Sequence, residues 1–223
     1  MSSSVSKETG FRIDKVVNEF GKIPLHGTPL AKADSLIASP QIVLAIVMDA
    51  LIKARPISHH LTEKMINKLI AAKYHDIDTL ANSSWQERVD SLKEGGYNRY
   101  REQCATNLGE LAALVVGKYD GDLNKLLKQA NGQRDEAAFL LKETKAMGDL
   151  AVEIIFDNVQ SVWPSIAPFI DSRSLNTAAD IGIGTDLSLL YSAVEWNLVR
   201  MSLFTNGLSE VRLEKRQNAI ESM

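Results

Sequence analysis

The chain has 223 residues, 45% of them hydrophobic and 24% charged, and a formal net charge of −3. That length and apolar content can fill one large domain or two small helical lobes. A pI near 5.8 excludes a global field that draws the protein to nucleic acid, so any DNA binding has to rest on a local patch.

The single cysteine, Cys104, can form no internal disulfide and no iron-sulfur ligand cluster. His26, His59, His60 and His75 lack a metal-ligand spacing, since the adjacent pair would diverge by about 100° on a helix. Surface or capping roles are expected for them. The most apolar run, "IVLAIVMDALI", is interrupted by Asp49 and falls short of the roughly 18–20 residues that cross a bilayer. The first ten residues carry no apolar core of a secretory signal, so an intracellular location, nuclear or cytoplasmic, is expected.

Apolar residues recur with helical period almost throughout, and no alternating run suggests a sheet. In chain order, helices are expected over residues 11–21 and 29–37, and from Pro40 to Ala54, stopping before Pro56. Ser58 can cap the next, to about Lys73. Ser84 with Glu87 three positions on is a reciprocal capping pair, and Gly95 and Gly96 close that helix. A long amphipathic helix over 98–118 puts Leu108, Leu111, Ala112 and Val115 on one face. Shorter ones follow over 123–130, 134–145 and 149–162. After the Pro-rich connector "WPSIAPFID", helices are expected over 172–180 and 186–204, with a charged helix over 209–223. Trp85 and Trp196 are expected in the core.

Three segments in order carry a resemblance. "EGGYNRYREQCATNLGELAALV" is similar to a "GxGYYxxRAxxLxxxA" segment, "TKAMGDLAV" loosely matches the hairpin pattern "LxGVGxxTA", and "PFIDSRSL" stands where "P..VDTHV.R" carries an aspartate. Together, over roughly two thirds of the chain, they resemble the helix-hairpin-helix DNA glycosylase (HhH-GPD) superfamily, to which endonuclease III, MutY and AlkA belong. The resemblance implies an all-α, two-lobed fold with a central helix-hairpin-helix. Residues 1–28 would be an N-terminal extension packing on a core of 29–208, with the charged helix beyond.

The resemblance also implies roles. A hairpin turn binds phosphate because unpaired N–H groups and the helix dipole behind them favour an anion, and glycine lets the backbone approach. Met147, Gly148 and Asp149 would form that turn, with Lys145, Arg55 and Arg99 as cationic contacts to DNA. Glu153 and Asp157 recur on the second helix, either on its solvated face or facing phosphate, where they would repel it. Asp171 takes the catalytic position, stabilising charge that develops on the sugar. It can equally cap the following helix. Leu150 stands where bifunctional members have a lysine nucleophile, so only monofunctional hydrolysis is implied. Tyr97 and Trp163 are candidates for stacking a flipped base.

The expected function is that of a monofunctional DNA glycosylase of base excision repair, acting as a monomer on damaged or mismatched double-stranded DNA. The alternative is a non-catalytic descendant of the same fold that binds DNA or a protein. No cofactor, iron-sulfur cluster or metal is expected apart from a monovalent cation at the hairpin, and no membrane partner.

Overall fold

The computed structural model describes residues 5–31, 36–144 and 147–213. Among them the chain forms twelve α-helices, one π-helical turn and one 3-10 turn, with no strand. The all-α expectation therefore holds. Two compact units emerge, one made of residues 25–155 and the other of both chain ends, 1–24 and 156–223.

In the 25–155 unit the helices are α2 (Pro40–Lys53), α3 (His59–Ala71), α4 (Ile77–Asn82), α5 (Trp85–Glu94), α6 (Arg101–Tyr119), α7 (Asn124–Gln129) and α8 (Arg134–Leu141). Ser39 caps α2 and Pro40 occupies its first turn, where a missing N–H costs nothing. Eleven successive residues from Ile42 to Ile52 are buried, so α2 is enclosed on all sides and packs against α3 and α6. Asp49 lies inside this helix, 3% exposed and held by Lys53 at 2.6 Å. The Ser84–Glu87 capping box forms with both of its hydrogen bonds, at 3.2 and 2.6 Å. Arg88 ties α5 to α6 by donating from Nε to the Ala105 carbonyl at 2.9 Å.

The unit of both ends contains α1 (Lys7–Lys15), the π-helical turn Val16–Phe20, α10 (Ser172–Asp180), α11 (Leu187–Ala193) and α12 (Leu198–Leu213). Its core gathers Ile13, Val16, Ile181, Val194, Met201, Phe204 and Leu208. Gly207 lets α12 approach the π turn: a Cβ there would stand 2.7 Å from the Val16 carbonyl oxygen. Helix α9 (Asp149–Val159) begins in the first unit and ends in the second.

Several expectations need correction. Residues 29–31 and 36–39 are turn and coil, so no helix spans 29–37; residues 32–35 lie outside the described residues. Asp76 caps an unanticipated helix, α4, accepting from the Thr79 N–H at 2.9 Å. The helix expected over 186–204 is broken, because Glu195 and Trp196 adopt left-handed backbone angles (φ 61° and 56°) between α11 and α12. Trp85 and Trp196 are 43% and 61% exposed and not in the core; Trp196 rests edge-on against Tyr191 at 5.1 Å. The first part of the charged tail, to Leu213, continues α12, and residues 214–223 lie outside the described residues. No helix among the described residues is long and apolar enough to cross a membrane.

Candidate active site

The candidate hairpin runs from α8 through residues 142–148 into α9. Met147 donates its N–H to the Thr144 carbonyl at 2.9 Å, and its side chain is 3% exposed, so it anchors the turn in the core. Gly148 is exposed, and its carbonyl accepts the Val152 N–H at 3.1 Å, the first bond of α9. Its φ is not positive, and an added Cβ would meet nothing within 4 Å. The chain's own geometry therefore does not demand glycine there; what its size leaves is open backbone in front of a helix start. Asp149, the first residue of α9, ion-pairs with Lys142, which offsets its charge at the mouth of that helix. Lys145 lies outside the described residues. The cation expected at the hairpin would draw on the same segment, where the Thr144 and Gly148 carbonyls already accept the N–H bonds just described.

Asp171 is the N-cap of α10. Its Oδ1 accepts the backbone N–H groups of Arg173 and Ser174 at 3.0 and 3.2 Å and Nε of Arg173 at 3.3 Å. These bonds satisfy donors that a helix start otherwise leaves unpaired. The residue is 1% exposed. Burial pushes its carboxyl up, but hydrogen bonds with Ser174 and Asp157 and the charge of Arg212 outweigh this and hold it below the usual carboxylate range.

Asp157 proves to be part of this arrangement. It is 6% exposed, and its Oδ1 accepts the Asp171 N–H at 3.0 Å. Neither a solvated position nor one facing phosphate describes it. Its backbone carbonyl accepts Oγ of Ser202 on α12 at 2.8 Å. Gln160 clamps the connector before Asp171, donating Nε2 to the Phe169 carbonyl and accepting the Phe169 N–H, both at 3.0 Å. Arg212 of α12 donates Nη1 to Ser174 Oγ at 3.3 Å. Sequence reasoning misplaced Asp157 and missed Gln160 and Arg212, although the polar run Asp157, Asn158, Gln160, Ser161 gave a signal: so many polar side chains at the end of an apolar helix, all buried here, need internal partners.

The other expected residues are separate from this network. Tyr97 and Trp163 are each 1% exposed, so neither offers a ring face for stacking in this conformation. The Tyr97 phenol has no hydrogen-bond partner among the described residues, and burial pushes its pKa up. Nearby Cys104 is a buried thiol pushed up to about 12 by desolvation, which excludes it as a nucleophile near neutral pH. Arg99 is exposed, with its guanidinium 5.2 Å from the Tyr100 ring centre. Arg55 lines an open cleft of about 480 Å³ with Trp85, Thr106 and Asn107, flanked by Glu102 and Glu110. With the Asn107 amide oriented to satisfy both its ends, Nη2 of Arg55 donates to the amide oxygen at 3.2 Å. Leu150, at the position of the absent lysine, is half-buried.

No protein-family model matches this chain, and no curated protein matches it. Among solved structures, the 3-methyladenine DNA glycosylase (MagIII) of H. pylori, bound to 1,N6-ethenoadenine, is similar to it, with 13% sequence identity and a TM-score of 0.55. The match covers 93% of this chain and 98% of that one. At this identity the likeness speaks for architecture alone: the chain has the all-helical fold of that solved glycosylase.

Proposed function

We propose that the protein is a monofunctional DNA glycosylase of base excision repair that hydrolyses the N-glycosidic bond of a flipped, damaged or mismatched base. The observation that supports this most is the state of Asp171: a carboxylate fixed by the first turn of α10 and held ionised, twenty-three residues after Gly148. Loss of the base leaves positive charge on the sugar, and an ionised carboxylate in a fixed position stabilises that charge and orients the attacking water. No lysine stands after the hairpin, so the reaction ends at the abasic site with the strand intact. Duplex DNA would be held at the open backbone of Gly148 and the start of α9, with Lys145, Arg55 and Arg99 as cationic contacts. Damaged or mismatched duplex DNA is the proposed partner, met by a monomer inside the cell, with no cofactor required by the hydrolysis itself.

The relative of known structure was solved with an etheno-modified adenine, which makes alkylated and etheno purines the first lesions to test. Incubation with duplexes carrying single lesions should release the free base and leave a strand that breaks only after alkali. The Asp171→Asn protein should release none. A second reading, a non-catalytic DNA-binding descendant, is favoured by the 1% exposure of Asp171. Salt-sensitive duplex binding without base release on any lesion would select it.

A further inference from the structure

The first turn of α10 is held from two sides at Ser174. Its backbone N–H donates to Asp171 Oδ1 at 3.2 Å, and its Oγ accepts Nη1 of Arg212 at 3.3 Å from α12, the helix packed against α10. The other arm of the same guanidinium donates Nη2 to Oγ of Ser209, three residues back on α12, at 2.9 Å. Arg212 is therefore anchored once on its own helix and once on the turn that fixes Asp171. Ser174 is fully buried and Asp171 is 1% exposed, so little water screens the guanidinium from the carboxyl beyond Ser174. Each element packed here brings charge of its own. Arg173, on α10 itself, donates Nε to Asp171 Oδ1 at 3.3 Å. From the end of α9, Asp157 accepts the Asp171 N–H at 3.0 Å and adds a carboxyl group. Helix α12 carries Glu210 as well as Arg212, and Glu210 is engaged by Lys22 at 3.2 Å.

We propose that Arg212 is a positioning residue for Asp171: reaching from α12 to Ser174, it holds the first turn of α10 in place and sets a positive charge near the Asp171 carboxylate. The inference rests on the proposed role of Asp171 only for its catalytic consequence; the coupling itself is a property of the folded chain. The fork matters as well as the charge, because two serine hydroxyls on different helices are met by two arms of one planar group. Lysine keeps the charge and loses the fork. The titration of Asp171 points the same way: burial raises its pKa, and hydrogen bonds and the charge of Arg212 bring it below the ordinary value.

The test is a double-mutant cycle on the full-length protein, with Arg212→Met and Asp171→Asn made singly and together and followed by chemical denaturation from neutral pH to about pH 3. At neutral pH, Arg212→Met should lower the folded-to-unfolded ratio by a factor at least roughly five times larger in the wild-type background than in the Asp171→Asn protein. Loss of the cation raises the folded pKa of Asp171, and a carboxylate with a depressed folded pKa contributes stability that is lost as pH falls through that value. The penalty of Arg212→Met should therefore be full at neutral pH and shrink as pH falls through the folded values. A penalty equal in both backgrounds and constant with pH is what a merely structural arginine gives, and it would overturn the proposal. Arg212→Lys should keep most of the wild-type pH dependence while losing stability through the missing fork; a Lys protein that matches Arg212→Met at every pH would also overturn it. Should Arg212→Met prevent folding, Arg212→Gln, whose amide can still bond a serine hydroxyl, runs the same cycle. Where a base is released, Arg212→Met should move the acid limb of release to higher pH. Because the denaturation readouts need no substrate, failure to find a base released removes the glycosylase reading and leaves the coupling measurable. Base release by a protein in which the two positions are additive would refute the coupling and leave the glycosylase reading standing.

Discussion

Replacing Asp171 separates its structural work from its chemical work. In Asp171→Ala, the N–H groups of Arg173 and Ser174 lose their acceptor, and Ser174 is fully buried, so water cannot replace the oxygen. Loss of an N-cap costs about 1 kcal/mol and an unsatisfied buried donor about 1–3 kcal/mol, so the variant should lose roughly 2–4 kcal/mol. In a chain of this length each kcal/mol moves the midpoint by about 2–4 °C, which puts the fall at roughly 4–16 °C. Asp171→Asn keeps a side-chain oxygen in the same place, and asparagine caps as well as aspartate does. Its melt should lie clearly above that of Asp171→Ala while base release is lost. Differential scanning calorimetry of the three proteins makes the comparison. An Asn variant as unstable as the Ala variant would refute the cap as the structural role, and an Ala variant as stable as wild type would refute the burial argument.

Lys53→Met should destabilise the protein by roughly 2–4 kcal/mol, because it leaves the Asp49 carboxylate buried inside α2 without its cation; chemical denaturation measures it. Gly207→Ala should cost about 1–3 kcal/mol by forcing α12 away from the Val16 carbonyl, read in the same assay. Gly148→Trp should leave the melt unchanged, since none of the described residues outside its chain neighbours lies within 4 Å of its Cβ, yet weaken duplex binding several-fold in a salt titration of DNA affinity. The pH dependence follows from the depressed pKa of Asp171. The charged form is favoured in the folded state, so its contribution is complete above the unfolded value of about 3.9 and is lost only as pH falls through the lower folded value. The acid limb of base release should accordingly lie below pH 4.

Helix starts were the most legible feature of the sequence, because a cap is a local device. Ser58, Ser84 with Glu87, and Asp171 all cap where their spacing predicted. The break at Glu195 and Trp196 had no glycine or proline to announce it, and the residues on either side of it, Val194 and Met201, are buried in the core. The helix expected over 29–37 failed because apolar content without a cap does not specify helix. At the candidate site, Asp171 was legible through the resemblance of "PFIDSRSL" to an aspartate-bearing segment, but its partner was not. Asp157 follows Glu153 at a four-residue interval that reads as a polar helix face, and only the return of the chain at Asp171 and Ser202 encloses it. Aromatic residues misled in both directions: Tyr97 and Trp163 are sealed, whereas Trp85 and Trp196 are exposed.

The most direct measurement is single-turnover release of a free base from duplexes containing etheno- and alkyl-purines and mismatches, comparing wild type with Asp171→Asn. Release by wild type with the strand left intact, and none by a fully folded Asp171→Asn protein, is the expected result. No release from any lesion by wild type, or equal release by both proteins, would contradict the proposed chemistry at Asp171.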